Sequence, residues 1–66
     1  MKVFKVIFEN NTVTSVITAT NVEHGETGLT VDKENILWLA IECSDEKIAV
    51  EVAEQVVKMI WPKEAA

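Results

Sequence analysis

The 66-residue chain has no arginine, one cysteine and one histidine. Arginine is the usual source of bidentate contacts to phosphate and guanine. Its absence, with eleven acidic residues against six lysines and a net charge of −5, argues against nucleic acid or an anionic membrane as a partner. A lone Cys43 permits no internal disulfide. One His and one Cys cannot supply a zinc ligand set, so neither metal nor cofactor is expected. No apolar run approaches the ~18 residues of a membrane span. Met1-Lys2 leads straight into a strand pattern, with no apolar leader and no cleavage site. A lone reduced thiol then makes the cytoplasm the expected compartment.

What the chain does have is apolar surface. Hydrophobic residues make up 48% of it. A domain of this length buries only about 60% of its unfolded surface, so it is marginal alone. Small domains usually add disulfides, a metal or oligomerisation, and only the last remains here. The expectation is one domain spanning residues 1–66, completed by a second copy of itself.

Lys2 to Glu9 alternates, with Phe4, Val6 and Phe8 on one side and Val3, Lys5 and Ile7 on the other. Asn10-Asn11 follows, and asparagine tolerates the positive φ of a tight hairpin turn. Thr12 to Thr20 is rich in Thr, Val and Ile, which suit a second strand. A two-residue turn sets Phe8 opposite Val13, Val6 opposite Ser15, Phe4 opposite Ile17 and Lys2 opposite Ala19. Asn21 to Gly28 reads as a loop and holds both glycines. Leu29–Val31 is a short strand candidate, and Asp32–Asn35 a polar turn. Ile36 to Cys43 is nearly all apolar, as a central strand covered on both faces would be. The expected spatial order is therefore third, fourth, first, second. A simple meander is the alternative.

Ser44 is the expected N-cap of a helix, with Asp45 and Glu46 in its first turn. Pro62 limits the helix to about Trp61, and Lys63–Ala66 reads as a frayed tail. On a wheel of roughly 100° per residue, Ile48, Val52, Val56 and Met59 form one apolar stripe. Val50, Ala53, Val57 and Trp61 form a second. A helix lying on one sheet needs an apolar arc of little more than about 100°, and this one has roughly twice that. The first stripe is expected on the sheet, and the second on a partner chain. The fold class is α+β: a four-stranded antiparallel sheet, β-β-β-β-α, with one C-terminal helix on one face.

Residues able to do chemistry are few. Glu23, His24 and Glu26 cluster beside the glycines, where a metal site or general base is conceivable but a solvated loop is the ordinary role. Cys43 adjoins a helix N-terminus, yet Glu42, Asp45 and Glu46 oppose a thiolate there, so it reads as a small buried hydrophobe. Trp38 is expected in the core, on one face with Ile36, Ala40 and Glu42. No nucleophile–base pair converges, so no catalytic residue is assigned and no enzyme is expected. The functional expectation is a non-catalytic protein-interaction or regulatory module acting as a homo-oligomer, its partner itself or another protein. The alternative is a small-ligand-binding dimer with its site near the 21–28 loop and the tryptophans, using His24, Glu26 and Trp38.

Overall fold

A computed structural model describes residues 1–60. Trp61 and the Lys63–Ala66 tail lie outside the described residues. The elements are β1 (Lys2–Glu9), β2 (Thr12–Ala19), β3 (Thr27–Leu29), β4 (Ile36–Cys43) and α1 (Glu46–Ile60). They form a four-stranded antiparallel sheet, ordered β2-β1-β4-β3, with the helix on one face. This is the expected α+β fold and strand order, with the two richest strands central. No helix among the described residues is long and apolar enough to cross a membrane.

The β1–β2 turn forms as its asparagines dictate, with φ of 55° at Asn10 and 61° at Asn11. Asn11 does more than turn the chain. Its Oδ1 accepts from the Ile36 backbone N–H at 2.7 Å, and its Nδ2 donates to the Glu34 carbonyl at 3.3 Å. The hairpin tip thus clamps the start of β4. Asn11→Gly keeps the turn geometry and loses the clamp, so it should cost about 1–3 kcal/mol. Asn10→Gly should change stability by only a few tenths. Urea denaturation of the two variants checks this, and equal effects would discount the clamp.

The hairpin register departs from strict alternation. Phe8 faces Val13 as expected, but a bulge between Ile7 and Phe8 leaves Thr14 unpaired. Thr14 fills the gap by donating its hydroxyl to the Ile7 carbonyl at 3.2 Å. Beyond it Val6 faces Val16, Phe4 faces Thr18 and Val3 faces Ala19, not the Ser15, Ile17 and Lys2–Ala19 pairings of an unbroken ladder. The bulge turns Val16 toward the core, where it packs beside Val13, and turns Ile17 to the opposite face.

A second bulge reorders β4. Leu29 pairs with Ile36 and Gly28 with Trp38, so Leu37 is the extra residue and is exposed. Ile36 therefore joins Leu39, Ile41 and Cys43 under the helix. Trp38, Ala40 and Glu42 fall on the other face, which corrects the expectation that Ile36 and Trp38 share one. The strand β3 is Thr27–Leu29, two residues earlier than the expected Leu29–Val31. Residues 30–35 instead form a closed loop, joined by Thr30 N–H to Asn35 O at 2.9 Å and Lys33 N–H to Thr30 O at 2.9 Å. Lys33 adopts a left-handed φ of 62°. Asp32 accepts from the Thr30 hydroxyl and then from Glu34 N–H, and these bonds hold its carboxyl below the usual range. The stability so gained is present above the ordinary carboxylate pKa and is lost as pH falls through the depressed one.

The helix begins one residue later than expected. Asp45, not Ser44, is its cap: the Asp45 carbonyl accepts the first helical N–H, from Ala49, at 3.1 Å. Its carboxylate approaches Lys47 N at 3.5 Å. The buried Cys43 thiol donates to the Asp45 carbonyl at 3.1 Å, tying strand end to helix start. The main correction concerns which stripe docks. Ala49, Ala53 and Val57 are buried against Phe4, Phe8, Leu39 and Ile41. Ile48, Val52, Met59 and Ile60 are exposed. The two alanines let the helix axis approach the sheet closely, which bulkier Ile48 and Val52 would prevent. Ala53 and Val57, expected to meet a second chain, are thus core residues of their own chain, and Val50 is half-buried beside them.

Candidate functional site

The helix packs chiefly on β4, with β1 and β2 behind it, and among the described residues the β3 side of the sheet is left largely uncovered. A four-stranded sheet is about 19 Å wide and a helix about 10 Å, so one helix cannot cover it. The result is a groove of about 500 Å³ on the helix side. Its floor is Ile36, Leu39 and Ile41, and one wall is Leu29 on β3. The exposed helix stripe supplies the other wall through Val52, Val56 and Ile60. Lys33 and His24 stand among these apolar residues.

His24 is placed by the loop that precedes β3. Gly25, at φ 93°, turns the chain so that its N–H reaches the Ala40 carbonyl at 2.8 Å. The Ala40 N–H in turn donates to the Glu26 carbonyl at 2.9 Å. The loop thereby continues the ladder along β4 beyond β3. There the Glu42 backbone N–H donates to His24 Nδ1 at 2.9 Å. That bond makes Nδ1 the acceptor, so in the neutral ring Nε2 carries the proton.

The three residues expected to share a ligand site do not come together. His24 lines the groove. Glu26 turns back on its own loop, where its carboxylate accepts from Glu23 N–H at 3.2 Å. Trp38 lies on the opposite face of the sheet, its indole flat over Gly28, where any β-carbon would overlap the ring. Among the described residues no three His, Cys, Asp or Glu side chains converge as a metal site. Sequence reasoning missed Lys33, whose polar turn carries no periodicity. It also assigned the Val52 stripe to the sheet.

The helix-free face is the second unusual surface. Its residues are Val3, Lys5 and Ile7 on β1, Ser15, Ile17 and Ala19 on β2, and Trp38, Ala40 and Glu42 on β4. The solvent face of an antiparallel sheet normally alternates to polar residues. Here six of these nine are apolar. Lys5 Nζ lies 4.5 Å from the Trp38 ring centroid, a cation–π contact that leaves its stem along the sheet. No protein-family model matches the chain, and no curated protein or solved structure is significantly similar to it.

Proposed function

We propose that the protein is a non-catalytic interaction module that works as a homodimer, paired through the helix-free face of its sheet. The observation that supports this is that face itself: Val3, Ile7, Ile17, Ala19 and Trp38 lie side by side, and no element among the described residues covers them. Contiguous exposed apolar patches of a few hundred Å² mark interaction sites. Three eight-residue strands side by side, β2, β1 and β4, give a flat footprint of about 26 by 14 Å, or about 370 Å² a side. Two such faces together bury about 750 Å², the size of a weak, reversible interface. The face is also self-complementary in charge. Lys5 and Glu42 supply one cation and one anion, so a two-fold pairing can set each against its opposite.

Ile7→Glu and Ile17→Glu each place an unpaired carboxylate in that interface, and should convert a dimer at micromolar concentration into a folded monomer. Val52→Glu, on the helix side, should leave the dimer intact. Sedimentation velocity with far-ultraviolet circular dichroism reads both assembly and fold. A monomeric wild type would sink the proposal.

The groove favours a second reading on the other side of the molecule, a small-ligand site beside the 21–28 loop. It is concave where the sheet face is flat. Its volume of about 500 Å³ falls in the ordinary range for small-molecule pockets, about 300–1,000 Å³.

A further inference from the structure

We infer that the groove between α1 and β3 binds small amphipathic carboxylates, an aliphatic chain ending in one anionic group. This rests on the reading of the groove as a ligand site and is independent of the dimer. Charge favours an anionic ligand. The chain carries eleven acidic residues, yet among the described residues none lines the groove, whereas a lysine and the single histidine do. In a protein of net charge −5, this is a locally cationic, otherwise apolar concavity.

Both side chains are also held in place by the backbone around them. His24 has its Nδ1 taken by the Glu42 amide at 2.9 Å. The ring is thereby oriented, and Nε2–H is left as a donor. Lys33 stands on a left-handed backbone, φ 62°, which glycine or asparagine would hold with less strain. The turn bond to Thr30 at 2.9 Å enforces it. Strained non-glycine residues gather where the side chain has a task. Here the turn stands a lysine at the rim of a pocket whose floor is Ile36, Leu39 and Ile41. An apolar tail on that floor, with its carboxylate at the Lys33 end and its chain running along β4 toward His24, satisfies both halves of the site. A charge-assisted hydrogen bond to the anion supplies the selectivity.

Decanoate is the probe, titrated below its micelle concentration against the full-length chain and followed by amide and methyl NMR. Decanol and decylamine are the controls. Decanoate should saturate, with the largest shifts at Leu29, Val52, Val56 and Lys33, and should bind about tenfold tighter than decanol. Decylamine should bind more weakly than either. Lys33→Asn keeps a residue that tolerates the left-handed turn, and should bring decanoate down to the affinity of decanol. Val52→Asp places a carboxylate in the wall at an exposed position, and should repel decanoate. Equal affinity for decanoate and decanol would overturn the anion class while leaving a ligand groove. No saturable binding by any of the three, or shifts confined to the sheet face, would overturn the groove as a site.

Discussion

Ala53→Glu should unfold the protein, whereas Val52→Glu, one residue away, should leave it folded. Ala53 is fully buried and Val52 is 37% exposed. The Ala53 side chain points at the sheet, in one cluster with Phe4, Phe8, Leu39 and Ile41. A glutamate there brings a desolvated charge with no partner, and volume into a close-packed layer. Together these should cost about 4 kcal/mol or more. A domain of this size has about 3–10 kcal/mol in total, so most molecules should be unfolded. Thermal unfolding of both variants by circular dichroism checks it. A stable Ala53→Glu protein would return this stripe to the surface, and with it the helix-mediated dimer that the wheel suggests.

The second large effect belongs to the aromatic pair of β1. Phe4 and Phe8 are both buried beneath the helix. Phe4→Ala or Phe8→Ala each removes a ring and leaves a cavity, and should cost about 3–5 kcal/mol. Phe8 stands beside the bulge, where Val13 is its cross-strand neighbour. Its removal should therefore also loosen the hairpin tip, and raise hydrogen exchange at the Ile36 amide that Asn11 holds. Chemical denaturation gives the stability change. A midpoint unmoved by both substitutions would put the core on the other face.

Which parts of this were legible follows from how local each signal is. Asn10-Asn11 announces its turn because positive φ is a property of those two residues. The strand order was readable from β4, since Ile36–Cys43 is apolar on both sides and must be central. The register was not. Val13, Ile17 and Ala19 on one alternation, or Val13 and Val16 across a bulge, both offer apolar residues to the core, and only tertiary packing selects Thr14 as the extra residue. The same ambiguity hid Trp38, because Leu37 bulges and resets the alternation after Ile36. On the helix the wheel shows two apolar arcs of similar strength. The deciding fact is size: Ala49 and Ala53 permit close approach, and a wheel scored by hydrophobicity ranks them below Ile48 and Val52. The groove was invisible for a further reason. His24, Lys33, Leu29 and Val52 come from four separate segments, brought together only because one helix is narrower than the sheet it covers.

The central claim is that a second copy covers the helix-free sheet face. An isotope-filtered NOE experiment on dimers mixed from labelled and unlabelled protein tests it directly. Methyl groups of Ile7 and Ile17 in one protomer should show contacts to the indole of the partner's Trp38. Intermolecular contacts from Ile48 and Val52 in their place, or none at all in a sample that sediments as a dimer, would contradict the account.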